Sequence, residues 1–232
     1  MTATPYPGGQ WVGTVGDEPV DYPVVGSVNR FLGQVWSVKT DTVNIDGHVV
    51  DRDFVVHTGA VAVAAIDDEG RIYLLRQYRH PVAMMMFEVP AGLLDVAGED
   101  ALNTAKRELA EEAGLEASEW HVLVDFFTSP GGLSEAIRVF LARDLRAREG
   151  GRVLTGEAEE ADMPGCWVDL DEAANRVFDG SLGNPTTVVS ILAAVTARAS
   201  GWESLRPGDS DWPVRQHLLD AGRVRTDVAP RH

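Results

Sequence analysis

Glu108, Glu111 and Glu112 fall within five consecutive positions, with Arg107 directly before them and Glu99 further upstream. If this stretch is helical, the three carboxylates share little more than one turn. Like charges at i, i+3 and i+4 repel by a few tenths of a kcal/mol per pair. Such a cluster is tolerable as a solvated face. It is useful where a divalent cation sits on it, because Mg²⁺ and Mn²⁺ take hard oxygen ligands and bridge them to phosphate oxygens. On a wheel of about 100° per residue, Leu102, Ala105, Leu109 and Ala113 form the core stripe, and the glutamates centre roughly 90° from it. They therefore belong to the rim of the buried face. Arg107, four residues before Glu111, offers the one local charge pairing.

The residues upstream sharpen the choice. Gly92-Leu-Leu-Asp-Val-Ala-Gly98 is a loop that delivers Glu99 just before the helix, and the run continues as Arg107-Glu108-Leu109-x-Glu111-Glu112-x-Gly114-Leu115. This resembles the Nudix box, G-x5-E-x7-R-E-U-x-E-E-x-G-U, in which U is a bulky aliphatic residue. Every specified position from Glu99 onward matches. One departure stands: six residues separate Gly92 from Glu99 instead of five. A loop absorbs such an insertion cheaply, and the helix register is untouched. The resemblance implies a hydrolase of nucleoside diphosphates linked to another moiety, using Mg²⁺, with Mn²⁺ as the alternative ion. It implies Glu108 and Glu112 as principal metal ligands, Glu111 assisting, and the carbonyl of Ala91 as a further ligand. Arg107 is expected to hold a carboxylate in place and not to touch substrate.

Segments outside the box resemble the ADP-ribose pyrophosphatase branch: His57-Thr-Gly-Ala-Val-Ala-Val63, Arg76-Gln-Tyr-Arg79, Glu88-Val-Pro-Ala-Gly92 and Thr128-Ser-Pro-Gly-Gly132 with Ser134-Glu135. The resemblance spans roughly residues 22–200, and the 93–99 stretch with its insertion is similar to actinobacterial members. It implies cleavage of ADP-ribose to AMP and ribose 5-phosphate. Arg79 is then expected at a phosphate or terminal ribose, Glu135 at the ribose, and Glu88 at or behind the substrate. The acidic run Glu157 to Asp162 corresponds to a loop that supplies another glutamate as general base or metal ligand; Glu160 is the first choice and Glu159 the second. Members of this branch exchange an N-terminal strand segment across a homodimer, which makes Trp36 and Phe31 candidates for stacking on adenine. Another nucleoside diphosphate sugar, such as GDP-mannose, is the alternative substrate. A noncatalytic ADP-ribose sensor is disfavoured by the intact carboxylates.

These residues need a scaffold, and the sequence patterning supplies one. Residues 1–20 are rich in Gly, Pro and Thr and read as a flexible tail. Residues 21–56 read as an N-terminal antiparallel β segment: Phe31 to Thr40, Thr42 to Ile45, and His48 to Val56 after an Asp46-Gly47 hairpin turn. Residues 57–200 read as the hydrolase domain. There Val61 to Ile66 is nearly continuously apolar, as in a strand covered on both faces. A helix is expected from about Asp100 to Ala113, stopped by Gly114, followed by strands near 120–128, 136–142 and 165–169 and helices at 171–179 and 185–200. Residues 201–232 read as a less regular C-terminal tail. The expected fold is α/β: an α/β/α sandwich with a mixed sheet plus the N-terminal β segment.

The totals agree with a globular enzyme of small phosphorylated molecules. The chain has 232 residues, 44% apolar and 24% charged, and a formal net charge of −16. So negative a surface repels nucleic acid and anionic lipid, yet a bound cation can invert the sign locally. One cysteine, Cys166, allows no intrachain disulfide and reads as a small buried hydrophobe. His48, His57 and His80 lack metal-ligand spacing, and Met84 to Met86 reads as core edge or interface. With neither an export-signal pattern nor an apolar span, a cytoplasmic location is expected.

Overall fold

The computed structural model describes residues 11–96, 98–152 and 163–226. It opens with an antiparallel three-stranded sheet of β1 (Val24–Leu32), β2 (Ser37–Ile45) and β3 (His48–Val56). The β2–β3 turn sits on Asp46-Gly47, both at positive φ, as the hairpin signal predicts. The first break falls at Gly33 to Trp36 and not between Thr40 and Thr42. The Gly33 N–H bonds the Trp36 carbonyl there, and β2 runs unbroken through Asp41. All nine residues of β1 are exposed.

The main body follows as β4 (Ala60–Ala65), β5 (Arg71–Arg79), β6 (Met84–Glu88), β7 (Ala91–Leu93), α1 (Ala101–Glu108), β8 (Leu115–Phe127), β9 (Ala136–Ala147), β10 (Gly165–Asp169), α2 (Leu170–Phe178) and α3 (Pro185–Ala199). After it come a two-residue strand β11 (Arg206–Pro207) and α4 (Pro213–Asp220). The central sheet has order β11-β8-β9-β4-β7 and is mixed, since β4 and β9 run parallel while their other pairings are antiparallel. A second antiparallel sheet has order β10-β5-β6.

β4 shows why the architecture is a sandwich. Ala60, Ala62 and Ala64 pack in one core with Ile72, Leu74, Leu170, Ile191 and Ala194, whereas Val61, Val63 and Ala65 pack in a second with Ala105 and Leu109 of the acidic helix. Side chains alternate across a strand, so an uninterrupted apolar run is what a doubly covered strand requires. Cys166 lies in β10 against the first core, as its neighbours suggest.

The segment after Gly201 departs from its expectation as a tail. β11 extends the central sheet beside β8, α4 follows, and Val224 bridges His57. The reason is electrostatic as much as apolar. Arg138, nearly inaccessible within β9, forms a two-point ion pair with Asp125 and donates to the carbonyls of Ser210 (2.6 Å) and Asp211 (2.9 Å). Its guanidinium also lies 4.7 Å from the Trp212 ring centroid. Hydropathy shows none of this, because polar backbone carbonyls are the docking partners. Residues 1–10 and 227–232 lie outside the described residues.

Candidate active site

The acidic helix begins at an N-cap, Asp100, whose carboxylate accepts from the Asn103 N–H. It is α-helical only to Glu108; Leu109–Ala113 forms a π turn, and Gly114 ends it at φ +64°. The Gly114 N–H bonds both the Ala110 and Leu109 carbonyls, and the bond to Leu109, five residues back, widens the turn. Glu111 and Glu112 ride on that widened turn. A regular helix was expected here, and widened turns of this type recur at functional sites.

Arg107 organises the acids. Its Nε and Nη2 bond the two oxygens of Glu99 at 3.1 and 3.0 Å, while Nη1 reaches Glu108 Oε1 at 2.7 Å and Glu111 Oε2 at 3.0 Å. One guanidinium thus holds three carboxylates, using the planar fork that lysine lacks. The arginine's own pKa is raised, chiefly by the hydrogen bonds to Glu99. Glu99 is in turn held below the usual carboxylate range, by those bonds first, against a smaller opposing effect of burial. Fully buried Thr104 donates its hydroxyl to Glu99 Oε2 at 3.0 Å, a support that sequence reasoning did not single out.

Glu112 takes a different partner. Its Oε2 accepts the Ala91 N–H at 2.9 Å, tying the helix to β7. Beside it, a Cβ on Gly92 would collide with the Glu108 carboxylate, so the glycine leaves room for that side chain. Glu108, Glu112 and Ala91 therefore come together where β7 meets the helix, and Glu111 is joined to Glu108 through Arg107. Their donor set is entirely hard oxygen, with the acids partly covered, and this chemistry fits Mg²⁺. Among the described residues, no three acid, histidine or cysteine side chains already form a cage. Mg²⁺ is ordinarily held by one or two carboxylates together with water and substrate phosphates, so the donors fit without one.

The other expected residues occupy three places. Arg79 lies along β5 and forms a two-point pair with Glu88 of β6, at 2.8 and 2.6 Å; Glu88 is buried while Arg79 is 45% exposed, so the glutamate anchors an arginine that faces outward. Glu135 accepts the Thr128 hydroxyl at 2.7 Å and lies 3.4 Å from His57 Nδ1. That nitrogen also lies 3.1 Å from the Gly59 nitrogen, whose N–H donates to it. Burial lowers the His57 pKa, and Glu135 opposes the shift without overcoming it. Phe31 and Trp36 stand at the exposed end of the β1–β2 hairpin, 6.3 Å apart between ring centroids. Glu159 and Glu160 lie outside the described residues.

Two further groups adjoin the carboxylate turn without having drawn notice in the sequence. Arg152 donates from Nε to the Glu111 carbonyl and from Nη1 to the Met163 carbonyl, each at 3.1 Å. Tyr73 of β5 places its hydroxyl where a Cβ on Gly165 would stand, and its phenol pKa is raised by burial, with Arg152 pulling it down and Cys166 and Glu112 adding to the rise. No local motif marks either residue; only the fold brings them to the helix.

A mixed α/β/α sandwich with a loop–helix carboxylate array defines a class, and comparison with known proteins gives the same one. The NUDIX domain model matches residues 56–185, and the chain belongs to the Nudix family. It is 44% identical over 205 residues to the ADP-ribose pyrophosphatase of Mycobacterium tuberculosis, covering 88% of this chain and 97% of that protein. It is 41% identical over 162 residues to the ADP-ribose pyrophosphatase of Bacillus subtilis, covering 69% and 85% respectively. A solved structure described as an ADP compounds hydrolase superposes with a TM-score of 0.66 at 18% identity, over 81% of this chain and 99% of that one, a likeness of fold.

Proposed function

We propose that this Nudix pyrophosphohydrolase cleaves ADP-ribose at its pyrophosphate bond, adding water across one P–O bond to release AMP and ribose 5-phosphate. The observation that carries the reading is the Arg107 clamp. A single guanidinium aligns Glu99, Glu108 and Glu111, while Glu112 is locked to the Ala91 N–H. Glu108, Glu112, Glu111 and the Ala91 carbonyl would hold Mg²⁺, or Mn²⁺ in its place. When bound, the ion offsets phosphate charge and lowers the pKa of water.

The chain's own residues do the rest. Arg107 keeps the acids in register without touching substrate. Arg79, anchored by buried Glu88, presents outward N–H groups suited to a phosphate or ribose. Glu135, steadied by Thr128, offers a carboxylate to ribose hydroxyls. Glu160, or Glu159 beside it, removes a proton from the attacking water, with Glu111 assisting. Phe31 and Trp36 supply aromatic faces for adenine.

The reading includes a homodimer that covers β1. Val24, Val28, Phe31 and Leu32 are each about half exposed or more, an apolar ribbon unusual on an isolated chain. Deleting residues 24–56 is expected to yield monomers, and a deletion variant that stays a stable dimer contradicts this part. The setting is cytoplasmic, where the single cysteine remains reduced. The substrate assignment is tested by initial rates on ADP-ribose, GDP-mannose, NADH and diadenosine polyphosphates with Mg²⁺. ADP-ribose is expected to lead in kcat/KM by roughly tenfold or more. A lead for GDP-mannose moves the assignment to that sugar nucleotide.

A further inference from the structure

We propose that Arg152 is a positioning residue for hydrolysis: its guanidinium holds the backbone of the turn bearing Glu111 and Glu112 and so fixes where those carboxylates stand. A helix leaves its last four carbonyls without intrahelical partners. Here those carbonyls belong to the turn that carries two of the acids, and the chain leaves at Gly114 for β8. The Glu111 carbonyl takes its donor from a side chain 41 residues further along, Arg152 Nε at 3.1 Å. The same guanidinium bonds the carbonyl of buried Met163, which leads into β10. Two elements distant in sequence are thereby referred to one rigid planar group.

Three details make the arrangement specific. A Cβ at Gly114 would lie 2.8 Å from the Arg152 backbone nitrogen, so the main chain of Arg152 is pressed against the helix stop and its side chain starts already in place. Gly114 itself is bound into that segment, since its carbonyl accepts the Arg148 N–H at 2.9 Å. A cation also suits this end of a helix, where the macrodipole is negative. Water could satisfy an exposed carbonyl, but it could not tie the π turn to the residues before β10. Partners of this kind, one step removed from the ligands, typically change metal affinity or activity by about 10- to 100-fold when lost.

The inference rests on the carboxylate turn being the hydrolytic centre, and its test separates the two. Wild type, R152K and R152Q are compared as full chains for kcat and KM on ADP-ribose, and for Mn²⁺ affinity without substrate by electron paramagnetic resonance. R152Q is expected to bind Mn²⁺ about tenfold more weakly and to lose about 10- to 100-fold in kcat, with KM changed less than about twofold. R152K, which keeps one donor and the charge, should fall between. Wild-type kcat and Mn²⁺ affinity in R152Q overturn the proposal, as does a raised KM with unchanged Mn²⁺ affinity, which makes Arg152 a substrate contact. If R152Q fails to fold, R152K decides by the same two measurements. A wild type that binds Mn²⁺ but hydrolyses no nucleoside diphosphate overturns the functional reading and leaves the Mn²⁺ comparison of the variants standing.

Discussion

Gly92 is where residue chemistry and backbone meet. Its missing Cβ admits the Glu108 carboxylate, and its neighbour Ala91 gives its N–H to Glu112. Gly92→Ala must displace the Glu108 side chain or β7, because the added Cβ would collide with the Glu108 carboxylate, and the proposed ligand geometry would be lost with it. We expect kcat to drop about 10- to 100-fold while the thermal midpoint changes little; unchanged kcat would show that Glu108 is not a required ligand. His57 makes a second residue-scale prediction. Its folded-state pKa lies below its ordinary value because burial disfavours the imidazolium, with Glu135 opposing. The unfolded chain therefore binds more protons once the pH falls below about 6.5. The contribution of neutral His57 is fully present above that pH and is lost as pH falls toward the folded-state pKa. Urea unfolding followed from about pH 7 to pH 5 should show stability declining, and His57→Asn, which keeps an acceptor for Gly59, should flatten the decline. An identical slope in the variant would show that His57 does not carry the decline.

At the scale of elements, the carboxylate spacing was legible because a motif is local and its chemistry fixes both residue type and interval. The continuous apolar run of β4 was legible for a similar reason: two covered faces leave no polar alternation. The π turn was not, since Leu109-Ala-Glu-Glu-Ala113 has nothing against a regular helix, and the widening arises where the helix must stop at Gly114 beside the Arg152 segment. Docking of residues 201–226 was equally hidden. Its anchors are Arg138 against Asp125 and two main-chain carbonyls, and Arg215, which donates to the Thr58 carbonyl at 2.7 Å. The contacts to the Ser210, Asp211 and Thr58 carbonyls join positions more than 70 residues apart, beyond any periodicity. Arg138→Met should cost about 2–4 kcal/mol, since two carbonyls lose their donor while Asp125 keeps Arg206 as a partner. A denaturant midpoint equal to wild type would show that the latch contributes no stability.

For the whole molecule, the −16 charge and the proposed phosphate chemistry are compatible: the chain repels polyanions in general, and a cation held at the carboxylate turn would reverse the sign locally for a small diphosphate. No helix among the described residues is long and apolar enough to cross a membrane. The second core fixes the acidic helix to the central sheet through Val61, Val63 and Ala65 of β4, and the C-terminal segment adds β11 at the edge of that sheet beside β8. Within this frame Arg107 holds Glu108 and Glu111, and the Ala91 N–H holds Glu112. The most direct test is Mg²⁺-dependent release of AMP from ADP-ribose by the wild type beside Glu112→Gln, with circular dichroism confirming both are folded. Wild-type turnover is expected to vanish on chelation, and the variant to lose about 100-fold or more. Full turnover by Glu112→Gln, or wild-type turnover that survives removal of divalent metal, contradicts the metal assignment.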